Sequence, residues 1–184
     1  MLNAKYNNYV LLLPKDWLYP SIINKYKYHL QSELIPFPDV ISFINSTIQS
    51  VSFPAMGLDI VKQVKKNSTP SYRSGYEANR GYTTEMTLTF RVTEGYINYF
   101  ILKDQLERYY DTQKADEKNR VFVPDLMLYF MDKSGRSVLS LEYKNIVFFG
   151  ISELELSYST NTPEFKTFDI QLAYETLEFK SRYD

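Results

Sequence analysis

The 184-residue chain has no cysteine and a single histidine, His29. Without thiols there is no disulfide, no thiolate metal site and no cysteine nucleophile, which is compatible with an intracellular setting without specifying one. Zinc lacks ligands, since neither cysteine nor a second histidine is available. A Ser-His-Asp site would have to use His29, whose neighbours Tyr26, Lys27, Tyr28 and Leu30 supply no such signature, so it reads as a surface histidine. HExxH, GxxxxGK[ST] and GxGxxG patterns are all absent. Glycine and proline are sparse, at 6 and 8, which argues against disorder. No charge of one sign dominates: 21 Lys+Arg against 22 Asp+Glu give a net of −1, whereas a protein living on phosphates is usually more basic. No apolar run approaches the ~20 residues of a membrane span, and Met1–Leu13 lacks the layout of a signal peptide. No internal repeat or linker divides the chain, so residues 1–184 read as one domain, large enough to bury roughly 70% of its unfolded surface.

Aromatic residues are what the chain has in excess: 17 Tyr, 12 Phe and 1 Trp. These favour strands and contact surfaces. Glu85–Thr93 alternates Met86, Leu88, Phe90 and Val92 against Thr87, Thr89, Arg91 and Thr93, the pattern of a half-buried strand. Asp125–Met131 and Arg136–Glu142 flank the turn Asp132-Lys133-Ser134-Gly135 and predict a hairpin. Lys144–Phe149 and Ser152–Ser159 read as further strands, and Phe165–Phe179 as a last one in which Phe168, Ile170, Leu172 and Tyr174 share a face. Strands at roughly ten-residue spacing point to a sandwich or barrel rather than βαβ units.

One helix interrupts them. Gly95–Tyr110 places Ile97, Phe100, Ile101, Leu102, Leu106 and Tyr109 largely on one face, with Asp104 and Arg108 at ion-pair spacing. The polar stretch Asp111–Asn119 reads as a loop. The first half is less regular: an edge strand at Val10–Leu13 ended by Pro14, a short helix at Pro38–Asn45 capped by Asp39, and a strand at Thr47–Phe53. From Lys62 to Gly81 runs a long polar segment unsuited to a core.

Few constellations carry chemistry. Glu153 and Glu155, two apart on an expected strand, project from one face and have the residue types for acid-base work on a sugar. A solvated polar face explains the same spacing, because alternation produces it freely. The loop acids Asp111, Asp116 and Glu117 alternate with Lys114 and Lys118, as in a solvated loop. In the long polar segment, Lys65, Lys66, Arg73 and Arg80 interleave with Tyr72, Tyr76 and Tyr82. Cations with stacking rings suit single-stranded nucleic acid on an OB-like module. They equally suit an arm reaching across a protein–protein interface.

In order along the chain, these pieces resemble the tail tube proteins of long-tailed bacteriophages. The resemblance runs from Ser50-Val-Ser-Phe-Pro54-Ala-Met-Gly57 through the polar hairpin and the alternating strand with its helix, to Phe165–Tyr174. It implies a mainly β fold: a two-sheet β-sandwich or barrel with one flanking helix at about 95–110 and a hairpin arm at about 62–82, residues 1–49 being a less typical extension. It further implies a non-enzymatic subunit without cofactor that assembles as hexameric rings stacked into a tube, located in the virion tail after assembly in the host cytoplasm. A tube-initiator, baseplate hub or neck ring of the same fold is the nearest variant. Its partners would be further copies of itself, other tail proteins such as hub, sheath or terminator, and DNA passing without specific binding; no membrane is implied. In this picture the arm residues meet a neighbouring subunit, and Glu153, Glu155, Asp169 and Glu175 are lumen-facing candidates.

Overall fold

The computed structural model describes residues 9–30, 37–52, 56–58, 60–63, 71–74, 80–82, 84–115, 122–154 and 165–181, with the backbone only for 56–58, 60–63, 71–74, 80–82 and 112–115. In chain order the elements are β1 (Tyr9–Leu12), α1 (Pro20–Leu30), α2 (Val40–Ser46), β2 (Ile48–Val51), β3 (Met56–Leu58), β4 (Ile60–Gln63), β5 (Ser71–Ser74), β6 (Arg80–Tyr82), β7 (Glu85–Arg91), α3 (Ile97–Ala115), β8 (Leu126–Met131), β9 (Ser137–Lys144), β10 (Val147–Ile151), β11 (Thr167–Ala173) and β12 (Thr176–Ser181).

Alternation decides the layers. β7 buries Met86, Leu88 and Phe90, and β11 buries Phe168, Ile170 and Leu172. The two pair in full register from Thr167↔Arg91 to Ala173↔Glu85, and with β10 and β2 outside them form a sheet of order β10-β11-β7-β2. The expected hairpin is β8–β9. Its turn closes because Asp132 Oδ1 accepts the N–H groups of Ser134 (2.7 Å) and Arg136 (2.9 Å), while Gly135 takes φ +75°, open to a residue without Cβ. With β1 and β12 the hairpin makes the second sheet, β1-β8-β9-β12. Both sheets are antiparallel throughout.

Their buried faces share one apolar core. Leu126, Leu128, Leu141 and Tyr143 come from one sheet, and Phe90 stacked on Phe168 at 5.5 Å from the other. Tyr99 of α3 meets the Phe168 ring edge-on at 5.2 Å, and Trp17 lies 6.4 Å from Phe148. Each such large side chain, fully buried, contributes about 1.5–3 kcal/mol by area. Leu11, Leu13, Trp17, Leu18, Ile22, Leu30, Val40, Ile41, Phe43 and Ile44, all before residue 50, belong to this same core.

One stretch read as a single strand is bent across both sheets. Phe165–Phe179 breaks at Tyr174-Glu175, leaving β11 in one sheet and β12 in the other. β9 likewise passes to β10 through Asn145, at φ +54°, and Ile146. The pairing carries through without a slip, with Thr176 opposite Lys144 on one side of the corner and Ala173 opposite Val147 on the other. Asn145 Nδ2 donates to Glu175 Oε2 (3.0 Å), and the Glu175 N–H to Lys144 O (3.2 Å). The register is kept but the buried phase is not: Phe168, Ile170, Leu172 and Tyr174 face the core before the corner and Leu177 after it, as Leu141 and Tyr143 give way to Ile146 and Phe148 on the partner strand. Downstream, β10 ends at Ile151. Ser152 still holds Asp169, donating its N–H to Asp169 O (2.8 Å) and accepting the Asp169 N–H on Oγ (2.8 Å). The remainder of the strand expected at Ser152–Ser159 lies, from residue 155 onward, outside the described residues.

The helices differ more from expectation. α2 begins as read, with Asp39 Oδ1 accepting the Ser42 N–H at 2.6 Å, a bond that holds this carboxyl below the usual carboxylate range. α1 was not anticipated: its stripe of Ile22, Tyr26 and Leu30 is narrow and broken by Lys25 and Lys27, although Pro20 suits a first helical position. α3 runs on to Ala115, so residues 111–115 are helix rather than loop. Its buried stripe is Asn98, Ile101, Leu102, Gln105 and Tyr109, and Phe100, expected inside, is 48% exposed. Among the described residues no helix is long and apolar enough to cross a membrane.

Candidate assembly surfaces

The edge pair β2–β7 continues beyond its sheet. Past Val51↔Leu88, Ser52 donates its N–H to Thr87 O (2.9 Å) and accepts the Thr87 N–H on Oγ (2.6 Å). The same antiparallel course resumes as β3–β6, with Met56 opposite Tyr82, and then as β4–β5, from Ile60↔Ser74 to Gln63↔Ser71. Each of these pairs forms a two-stranded ladder of its own, so the segment is a hairpin arm. It begins at Met56, earlier than the expected 62. Of the arm residues singled out in the sequence, Tyr72 and Arg73 lie on β5, opposite Lys62 and Val61, while Arg80 and Tyr82 lie on β6, opposite Leu58 and Met56. Lys65, Lys66 and Tyr76 fall outside the described residues.

The sheets also present faces and edges. β10 and β2 edge one sheet, β1 and β12 the other, and unpaired rows of N–H and C=O are where a further chain pairs. The outward face of β7 and β11 carries Thr87, Thr89, Thr167, Asp169 and Gln171, small and mostly neutral. At its rim the Arg91 guanidinium stacks 3.7 Å over the Phe165 ring, which is 68% exposed. The outward face of the second sheet is divided. Leu12, Met127 and Tyr129 occupy the β1–β8 side, and an ion network occupies β9–β12. There Lys144 Nζ bridges Glu178 (2.8 Å) and Glu142 (3.5 Å), and Lys180 pairs with Glu142. The hydrogen bond from Lys180 holds the Glu142 carboxyl below its usual range, and the bond to Glu178 raises Lys144.

The lumen candidates divide between two ends. Asp169 sits on the outward face of β11, and exposed Glu153 follows Ser152 directly beside it. Glu175 lies in the Asn145 corner, six residues along from Asp169 and so roughly 20 Å away. Glu155, the partner that a two-carboxylate site requires, is outside the described residues. His29 is exposed on α1, its ring 6.1 Å from that of Tyr26. Among the described residues no three or more His, Cys, Asp or Glu side chains are grouped to hold a metal.

Side-chain amides, which the sequence reading missed, tie the N-terminal segment to α2 and α3, and β7 to α3. Gln105, 1% exposed, accepts the Tyr19 N–H on Oε1 (3.1 Å) and donates Nε2 to Trp17 O (2.8 Å). Beside it, Asp104 takes Lys25 and the Tyr26 hydroxyl (2.8 Å) from α1. Burial raises the Tyr26 hydroxyl, and the bond to Asp104 raises Lys25. Asn45 accepts the Leu13 N–H (2.8 Å) and donates to Leu13 O (3.1 Å). Asn98 donates to Arg91 O (2.7 Å) and accepts the Thr93 N–H (3.1 Å), tying the end of β7 to the start of α3. Asn98 and Gln105 stand seven apart, on one face with Ile101 and Leu102, and that spacing was the available signal.

No protein-family profile matches the chain, and no curated protein matches it. Solved structures do. The tube-terminating cap of the anti-feeding prophage is similar over 98% of this chain and 93% of its own, with TM-score 0.57 and 13% identity. The sheath/tube terminator of the extracellular contractile injection system PVC is similar over 98% and 99%, with TM-score 0.57 and 11% identity. A chain of the anti-feeding prophage baseplate is similar over 73% and 80%, with TM-score 0.53 and 10% identity. The chain therefore has the tail-tube fold, mainly β with two antiparallel sheets, as its resemblance to tail tube proteins implied. Within that class its structural neighbours are components of contractile, tail-like particles. This two-sheet architecture also replaces the five-stranded barrel that an OB-like nucleic-acid module requires.

Proposed function

We propose that this chain is a structural ring subunit at the end of a tail tube, a terminating ring rather than a baseplate ring. The observation that carries this reading is the difference in coverage. The two terminating proteins are similar over 98% of the chain, whereas the baseplate protein is similar over 73%. The uncovered 27% of 184 residues is about 50, the length of the segment before β2. On this reading residues 1–49 belong to the same domain as the rest, and the ring is hexameric, in keeping with the 6-fold symmetry of the related baseplate. A ring closes when each subunit offers one sheet edge to the next, which also removes exposed β-edges. The arm that starts at Met56 reaches the neighbouring subunit, with Lys65, Lys66, Tyr72, Arg73, Tyr76, Arg80 and Tyr82 as its contact residues. The face bearing Thr87, Thr89, Asp169 and Gln171 lines the channel together with Glu153, and with so little positive charge it gives passing DNA nothing to adhere to. Glu155 and Glu175 are further channel candidates. The protein acts by assembly and not by turnover.

Electron microscopy over a range of concentrations, with mass by light scattering on the same samples, tests this. Closed rings with a central hole that do not lengthen are the expected result. Tubes of unlimited length would return the chain to the repeating subunit. A monomer at every concentration, even with its cognate tube subunit present, would refute ring formation. Arg73→Ala with Arg80→Ala should abolish rings while leaving the fold intact. If those changes instead remove salt-sensitive oligonucleotide binding, the arm is a nucleic-acid site.

A further inference from the structure

We propose that β1 is a guard strand: it fills, within its own chain, an edge of β8 that otherwise takes an extended strand from a second copy. The case starts from the composition of β8. Leu126-Met-Leu-Tyr-Phe-Met131 has six residues with no charge, no proline and no glycine. A segment of that kind on an open edge is a template for strand addition. One side of β8 is taken by β9, and β1 covers the other over four pairs, from Tyr9↔Phe130 to Leu12↔Met127.

The replacement edge is a poorer template. β1, described from Tyr9 to Leu12, is closed at its C-terminal end by Pro14 two positions on. Both the N–H and the C=O of Leu13, just past its end, are occupied by the Asn45 side chain at 2.8 and 3.1 Å. Leu11 and Leu13, 5% and 3% exposed, anchor the strand in the core, and the Tyr9 hydroxyl donates to Gln49 O at 3.0 Å. Proline at a strand end and backbone groups already occupied by a side chain both blunt an edge. The guard strand therefore covers an uncharged, six-residue apolar edge with a strand whose C-terminal end is closed by Asn45 and Pro14. The inference holds whether or not the native chain forms rings.

Substituting Val10→Pro together with Leu11→Pro removes two successive N–H groups. One of them faces β8, because neighbouring residues in a strand point alternately toward and away from the partner. Light scattering should then give a weight-average mass at least about twofold that of the native chain at equal concentration, as expected for strand addition. Excess synthetic peptide spanning Tyr9–Pro14 should restore the native value. An unchanged mass in a variant with native far-UV circular dichroism overturns the proposal, as does a gain that the peptide leaves in place. Should the variant not fold, the full-length chain carrying Val10→Cys and Tyr129→Cys serves instead. These residues are directly opposite in a chain with no other cysteine, at a Cα separation of about 4.5–5.5 Å for antiparallel partners. Under mild denaturant the reduced form should associate and the oxidised form should not; equal association of the two overturns the inference.

Discussion

Gln105→Leu isolates what fastens the N-terminal elements to the core. The native side chain serves two backbone groups eighty-eight and eighty-six residues away, donating to Trp17 O and accepting from the Tyr19 N–H. Leucine keeps most of the volume and removes both bonds. A buried carbonyl left without a partner costs about 1–3 kcal/mol, and the part-buried Tyr19 N–H adds about half as much. The expected loss is therefore about 2–4 kcal/mol, or roughly 4–16 °C in Tm for a chain of this size. Gln105→Glu should be worse, because it places a carboxylate oxygen against Trp17 O in a site from which water is excluded. The assay is built into the sequence: Trp17 is the only tryptophan, 1% exposed and at one end of this link. Urea titrations followed by tryptophan emission and by far-UV circular dichroism should show the emission shifting to longer wavelength at lower urea than the loss of strand signal. An unchanged midpoint with native emission in Gln105→Leu would refute the reasoning and leave the anchoring to apolar packing alone.

Two further changes test the core and the corner. Asn145→Ala keeps a side chain in the left-handed region at φ +54° and loses the bond to Glu175, so thermal unfolding should show a loss of about 1–2 kcal/mol, while Asn145→Gly removes the strain and should lose less. Tyr143 is fully buried with a hydroxyl that has no hydrogen-bond partner among the described residues, and burial pushes it up to about 12. The folded chain thus holds this proton more tightly than the unfolded one, so the associated stability is complete below pH 10 and is lost as the pH rises to about 12. Tyr143→Phe should abolish that alkaline loss and, at neutral pH, be neutral or stabilising by up to about 2 kcal/mol in urea unfolding.

The strands were legible wherever one face is core and the other water. Met86, Leu88 and Phe90 announce β7, and Asp132 with Gly135 announces the β8–β9 turn, because both signals are local. What failed was any feature set by tertiary geometry alone. The corner at Tyr174-Glu175 carries neither glycine nor proline, so β11 and β12, in different sheets, read as one strand, and the shift of core positions from Tyr174 to Leu177 was the only sign of it. Helix α1 owes its existence to packing on α2 and α3 more than to its own amphipathicity, and its mixture of Ile, Lys, Tyr and His hides the buried stripe. The polar residues of the α3 interior were misjudged because burial of Gln105 becomes affordable only once a backbone eighty residues upstream is in place to meet it.

The assembly surfaces divide along the same line. A run as polar as Lys62–Gly81 cannot be core, so its role outside the sheets was visible in the sequence. The arm's root was not, because Met56 continues the edge pair β2–β7, and strand order is not written in a linear pattern. The same holds for β8, whose apolar run looks identical in the sequence whether its second edge is open or filled. Only the pairing of Leu11 with Leu128, over a hundred residues apart, separates the two cases. A chain that builds an assembly from sheet edges must leave some open and close others. Here the closing strand, its proline and its asparagine cap all lie in the segment before β2. That segment therefore joins two roles in one element: it completes the core through Leu11, Leu13 and Trp17, and it restricts the edges on which another copy can grow.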